Sequence, residues 1–404
     1  MAERLIYFDN INTTFPDPSV IETMRDVLMS DSGNPSSHIH SAGIAAAGYL
    51  DSAREKVAGL IGARANSVIF TSGATESNNL AIRGFIKANP DYQLVTSNIE
   101  HYSIINQASR LKREGHQVVT LAVDHDGILN CNELEKVLQK GPSLVSIAPA
   151  NPEIGIVQDM ARIGEVCRKN DAELHCDATA AATMLKLHVD KMNIDLLTLS
   201  GHNMYAPAGI GALYINEKIG IAPLFDGGNQ EQGLRPGTEN YPAAAAMGRA
   251  CEIIMKNREQ WNEELSRLGK RLQDGLTQKV PFIHFTGHPG KRLPGHVSFW
   301  IEHIEGESLL LFLNMKGVMA SSGSACSSNL KGRDEEDLMA SHVLTAIGVP
   351  SDICAGSITF SLAKYNTEDE VDYVIDIMPG IVERLLAMSP SYSDYMRKKE
   401  LLNG

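Results

Sequence analysis

Between residues 67 and 177, short apolar runs alternate with segments of helical character. Strand-like runs fall at 68–71, 93–97, 118–122, 144–148 and 173–177, and helical stretches lie between them at 75–86, 102–114, 134–139 and 160–168. Apolar runs too short for helices, each followed by a helix, require a mostly parallel sheet covered on both faces. Ligands of such sheets gather at the carboxyl ends of the strands. Thr75, His101, Asn151 and Asp177 stand at those ends.

The flanking sequence has a different character. Ser19-Val20-Ile21-Glu22 has capping-box spacing and is expected to start a helix at Ser19. A long helix is expected over 41–61. Past Ile215 come a Gly/Gln-rich loop at 226–237, a long helical stretch at 242–278, strands at 283–285, 297–301 and 358–362, and helices at 308–315 and 368–388. With 404 residues, 43% of them hydrophobic, the chain has material for one large and one smaller core. The expected division is a large α/β domain over 14–255 and a smaller α+β domain formed by 1–13 and 256–404.

A net charge of −13 argues against a nucleic-acid surface. No segment approaches the roughly 18 apolar residues of a membrane span, and the start, Met-Ala-Glu-Arg-Leu-Ile, has no secretory apolar run. A cytoplasmic location without membrane contact is expected. The six cysteines form no C-x-x-C pair, so neither a zinc site nor a disulfide framework is signalled.

Four stretches could carry chemistry. The turn 71–77, Thr-Ser-Gly-Ala-Thr-Glu-Ser, is either a phosphate cradle at a helix N-terminus or a plain helix start. His101, after a strand, would stack on an aromatic cofactor or, as a lone histidine, carry no function. Asp177 ends an apolar strand, where an unpaired carboxylate is costly, so a cationic partner or a helix-cap role is expected. It is followed by a second strand opening into Ser200-Gly201-His202-Asn203, and an acid and a Ser/Gly/His loop on neighbouring strands suit the ring nitrogen and phosphate of pyridoxal phosphate (PLP). The fourth stretch, 320–328, places Cys326 among small residues, where a thiol can reach a neighbouring site as a nucleophile.

Together these stretches resemble the NifS/IscS-type cysteine desulfurases, PLP-dependent enzymes of fold type I, aminotransferase class V, that supply sulfur for iron–sulfur clusters. The resemblance runs through 7–9, 33–37, 71–77, Glu100-His101, 151–155, 177–179, 200–202, 235–238 and 321–326. It implies that Ala74, Thr75, Ser200 and His202 hold the phosphate, and that Thr238 reaches across from the partner in a homodimer. It further implies that His101 stacks on the ring, Asp177 meets its nitrogen and Asn151 its hydroxyl side, and that Cys326 takes sulfur from L-cysteine as a persulfide. Partners implied are a sulfur acceptor or an iron–sulfur scaffold protein, with Cys326 as a cluster ligand in such a complex; no resident metal is expected.

The sequence departs from that family where the chemistry is most demanding. Asn203 replaces the Schiff-base lysine, Ala180 a glutamine, Pro152 an asparagine, and Thr359 an arginine that clamps the substrate carboxylate. A hydroxyl cannot replace that bidentate clamp. A charged run at 331–337 lengthens the segment after Cys326. Three readings follow: a sulfur relay or cluster-assembly partner working through Cys326, with PLP non-covalent or absent; an enzyme holding PLP without a covalent link, acting on cysteine or another amino-acid-like substrate with His101 or another group as base; and a non-catalytic structural partner of an active paralogue.

Overall fold

The computed structural model describes residues 5–30, 32–322, 341–349 and 357–403. Cys326, Cys354 and the charged run 331–337 lie outside the described residues. The strands are β1 (Ile6–Tyr7), β2 (Val68–Thr71), β3 (Gln93–Ser97), β4 (Val118–Leu121), β5 (Ser143–Ser146), β6 (Glu173–Asp177), β7 (Leu196–Ser200), β8 (Gly211–Ile215), β9 (Ile283–Phe285), β10 (His296–Ile301), β11 (Val318–Met319) and β12 (Ser357–Ser361).

The large sheet has the order β2-β8-β7-β6-β5-β3-β4. Only β8 runs against its neighbours β2 and β7; the pairs β3/β4, β3/β5, β5/β6 and β6/β7 are parallel. The reversal has a physical reason. The connection from Ser200 to Gly211 is too short for a crossover, so the chain must return as an antiparallel neighbour. Strands β2, β3, β5, β7 and β8 are buried at every residue, as expected of a sheet with helices on both faces.

Local chemistry moved one expected boundary. The first helix spans Pro18–Met29, starting before Ser19, because Asp17 accepts from the Ser19 amide at 2.9 Å and Pro18 presets the first helical φ. Ser19 is a donor to the cap, its hydroxyl 2.7 Å from Asp17, and is not the cap itself.

Beyond β8 a 39-residue helix, Tyr241–Lys279, serves two cores. Ala243 to Ile254 pack with the large sheet, whereas Leu265, Leu268, Leu272 and Leu276 pack with Phe299, Phe360 and Val374 over the antiparallel sheet β12-β10-β9. The capping box at Thr367 and Glu370 starts the helix Glu368–Met388, and a further helix, Pro390–Asn403, had no counterpart among the sequence expectations. The N-terminal arm belongs to both halves. β1 pairs in parallel with β11, Ile6 and Phe8 are buried in the second core, and Ile11 in the first. Among the described residues no helix is long and apolar enough to cross a membrane.

Candidate functional site

The carboxyl ends of β6 and β7 form the floor of the site. Asp177 is 6% exposed. Its Oδ1 accepts from the Thr179 amide at 3.1 Å and the Thr179 hydroxyl at 2.5 Å, and its Oδ2 accepts from Asn78 Nδ2 at 2.7 Å. The carboxylate is therefore held by neutral donors, and it makes no ion pair among the described residues. Two ionisable neighbours lie buried nearby, His175 within β6 and Glu100 in the turn after β3. His175 sits between the hydroxyls of Ser146 (Nδ1, 2.9 Å) and Thr198 (Nε2, 3.1 Å), and burial pushes it down to about 4 although Asp177 opposes the shift. Glu100 accepts from Ser97 Oγ at 2.6 Å and Ala148 N at 3.0 Å, and burial pushes it up to about 8, with the Asp177 charge adding a smaller push. Near neutral pH, both neighbours are uncharged.

A test follows from Glu100. A carboxyl raised by folding contributes stability that is full below its unfolded value near 4.5 and lost as pH rises through about 8. Glu100→Gln mimics the uncharged form, keeping an acceptor for Ala148 N and turning the bond with Ser97 round so that the amide N–H donates to Ser97 Oγ. Denaturation at pH 5, 7 and 9 should show the variant gaining on the wild type as pH rises. A pH-independent difference would rule out the buried neutral acid.

Above the floor stands the turn after β2. Glu76 Oε2 accepts from the Ser72 amide at 2.7 Å, Thr71 Oγ1 lies 2.8 Å from Ser77 Oγ, and Gly211 of β8 packs so closely that a Cβ there would lie 2.6 Å from Gly73 Cα. The helix starting at Ala74 presents its first N–H groups, at Ala74 and Thr75, without intrahelical partners. Thr75 is exposed. This helix packs against β7 and β8. Ser200, at the end of β7, is fully buried, and its hydroxyl has no hydrogen-bond partner. His202 is half-buried, and burial lowers its pKa.

Asn203 is 8% exposed, and its Nδ2 donates to the carbonyls of Ile11 at 2.9 Å and Asn12 at 3.3 Å. Its Oδ1 is enclosed without a partner, at a small cavity it lines with Thr179 and Ala180. Thr14 ties the same arm to this loop: its amide and hydroxyl each donate to the His202 carbonyl at 2.8 Å, and its Oγ1 accepts from Tyr205 N at 2.8 Å. Asn203 and Thr14 together thus strap the N-terminal arm to the loop after β7.

His101 caps the helix Tyr102–Arg113. Its Nδ1 accepts from Ser103 N at 3.1 Å and lies 2.8 Å from Ser103 Oγ, and its ring is exposed. Asn151 is buried, with Nδ2 on the Ile99 carbonyl at 2.7 Å and Oδ1 taking the amides of Glu153 and Ile154 at 2.9 and 3.0 Å. Thr359 donates to the Glu153 carbonyl at 3.0 Å.

The loop 226–238 is anchored from both ends. Arg54 forks onto Glu231 at 2.8 and 2.6 Å, Glu231 also accepts from Phe70 N at 2.7 Å, and Arg235 pairs with Glu76 at 3.1 Å. Glu231 and Gln232 have φ of +47° and +59°, a strain that the ion pair holds in place. Thr238 is exposed on this loop.

The model of the aminotransferase class-V family matches residues 6–374. The cysteine desulfurase IscS of Methanosarcina thermophila is 42% identical over 389 residues, covering 96% of this chain and 94% of its own, and cysteine desulfurase IscS 1 of Archaeoglobus fulgidus is 40% identical over 391 residues, covering 96% and 99%. The chain belongs to the class-V aminotransferase family, in its NifS/IscS branch. Among solved structures, a NifS-like protein matches with a TM-score of 0.86 at 32% identity, covering 94% of this chain and all of that one. SspA in complex with cysteine matches with a TM-score of 0.77 at 31% identity, covering 90% and 100%. PLP dependence is a property of this family.

The fold brings Asp177 and His101 within one hydrogen-bonded cluster and sets Ser200, His202 and Asn203 on one loop beside them. Asn151 lies in a turn with its amide fully engaged, and Thr238 lies on the anchored loop. The sequence reading assigned no role to Asn78, Ser103, Glu100 or His175. The last two carried a signal, being ionisable residues in otherwise apolar strand ends. Asn78 and Ser103 lie inside helical stretches and carried none.

Proposed function

We propose that this member of the NifS/IscS branch acts in sulfur transfer through Cys326, as a relay or cluster-assembly partner, with PLP held non-covalently and with little desulfuration of free cysteine. One observation carries the reading. The side chain at the lysine position is an amide engaged with Ile11 and Asn12, while the groups suited to PLP stand around it.

The buried, unpartnered Ser200 hydroxyl is an orphan that a phosphate oxygen would satisfy, with the N–H groups of Ala74 and Thr75 and the His202 ring as further donors. Asp177 would accept from the ring nitrogen, and His101 would cover the ring. When bound, PLP supplies an electron sink. The chain itself offers no amine at 203 to form a covalent link or to move a proton. Support for cysteine as a ligand comes from the cysteine complex of the similar SspA. A homodimer is proposed from Thr238, exposed on a loop pinned by two ion pairs and free to meet a partner's phosphate.

In the relay step the Cys326 thiolate attacks the outer sulfur of a donor persulfide, forming the Cys326 persulfide and releasing the donor thiolate; a second thiolate then takes that sulfur. The four described cysteines are poor competitors. Burial raises Cys131, pushes Cys167 and Cys251 up to about 12, and raises Cys176 well above its usual value. At pH 8 a thiol near 12 is thiolate in about one molecule per 10⁴, against about a quarter of the molecules for an unperturbed one. Alkylation at pH 8 should therefore label Cys326 ahead of Cys131, Cys167, Cys176 and Cys251, and a low-molecular-weight persulfide should load sulfur onto it but not onto a Cys326→Ser variant. Labelling of Cys167 or Cys176 with Cys326 untouched would defeat the relay.

A further inference from the structure

Asn78 is fully buried, and both of its N–H donors are used, one on Asp177 Oδ2 at 2.7 Å and one on Ser103 Oγ at 2.8 Å. Its Oδ1 has no partner. The orientation is fixed by chemistry, since a flipped amide would set its oxygen 2.7 Å from a carboxylate oxygen and leave its nitrogen with no acceptor.

The rest of the chain then has one direction. The Ser103 amide can only donate, so His101 Nδ1 carries the lone pair and, in the neutral ring, Nε2 carries the proton. Ser103 Oγ accepts from Asn78, and its own proton is directed to Nδ1. At the other end, Asp177 has about four lone-pair positions. Thr179 takes those on Oδ1 and Asn78 takes one on Oδ2, leaving one on Oδ2.

We propose that Asn78 is a positioning residue for the cofactor site: through one chain of hydrogen bonds it aims the remaining Oδ2 lone pair of Asp177 at a ring N–H and, through Ser103, locks His101 with Nδ1 as acceptor and Nε2–H as donor. This rests on the reading that the site holds PLP, and adds to it. A residue acting only as packing would support any ligand of the same shape equally. A residue acting through Asp177 matters only when the ligand has a ring nitrogen. It follows that His101 cannot serve as a base through Nδ1, which is already occupied by two donors.

The experiment has two arms. In the first, full-length wild type and Asn78→Leu are titrated with PLP and with 1-deaza-PLP, which has carbon in place of the ring nitrogen. The wild type should prefer PLP, and the variant should lose about tenfold of that preference, the scale of one hydrogen bond to a charged group. Equal weakening of both ligands, or no change, overturns the proposal. In the second arm, long-range ¹⁵N–¹H NMR on the cofactor-free wild type reads the His101 tautomer and needs no variant to fold. An Nε2–H ring is expected, and an Nδ1–H ring overturns the proposal. Failure of the wild type to take up PLP would defeat the cofactor reading, and the tautomer would then decide the hydrogen-bonded chain by itself.

Discussion

The double substitution Asn203→Lys with Thr359→Arg is expected to release sulfide from cysteine far faster than the wild type or either single change. A lysine at 203 would bring an amine to the site; forming a covalent link gives up the bonds of residue 203 to the Ile11 and Asn12 carbonyls, and Thr14 still ties the arm to the His202 carbonyl and the Tyr205 amide. Restoring a positioned base is worth roughly 10²–10⁴-fold. It helps little if the substrate's carboxylate is not fixed, and Thr359 offers only a hydroxyl already donated to Glu153 O. An arginine there would add a charge-assisted hydrogen bond of about 1.5–3 kcal/mol. Because both changes act on one bound substrate, their effects should exceed the sum of the singles. Sulfide release by all four proteins is the measurement. Borohydride fixation followed by peptide mass should show PLP on residue 203 in both lysine variants. Robust turnover by the wild type would sink the reading of a site that lost its chemistry, and full activity in Asn203→Lys alone would show that Thr359 does not meet the carboxylate.

Arg54→Met should destabilise the protein by about 3–5 kcal/mol, the usual cost of stranding one partner of a buried ion pair. The Glu231 side chain is 1% exposed and that of Arg54 13%. Beyond its fork onto Glu231, Arg54 donates to the Val68 carbonyl and lies 5.0 Å over the Phe70 ring. Without the guanidinium, a buried carboxylate keeps only the Phe70 amide, and two left-handed residues lose their clamp. Glu231→Gln combined with Arg54→Met should recover part of the loss, because no charge is then buried alone. Urea unfolding distinguishes these outcomes. A loss below about 1 kcal/mol for Arg54→Met would show that water reaches the carboxylate.

The alternation of strands and helices from β2 to β7 was legible because it rests on local periodicity, which tertiary context did not override. Strand β8 was not among the expected strands, and its reversal follows from the length of the loop before it. The expected helix start at Ser19 failed because a capping-box pattern does not reveal that Asp17, two residues earlier, is the better acceptor. In the site, Asp177, Ser200 and His202 announced themselves as polar residues at strand ends. Asn78 could not, since its partner Asp177 is 99 residues away in sequence. The departure at Asn203 was visible at once, but its attachment to Ile11 and Asn12 required knowing where the N-terminal arm runs.

That arm also sets an order of events in time. Ile6 and Tyr7 need Val318 and Met319 as partners, and Asn10 bonds the Ser361 carbonyl across 351 residues of chain. This arm leaves the ribosome long before its partners do and is therefore among the last elements to dock. While synthesis proceeds, the large sheet can assemble from its own local units, but the arm whose carbonyls receive Asn203 lacks its Ser361 anchors until β12 exists. Contacts of such long sequence separation form slowly, and their components stay exposed meanwhile. A nascent chain stalled before residue 357 would carry the sheet that bears Asp177 and lack the Ser361 partners that hold Asn10 and Ile11.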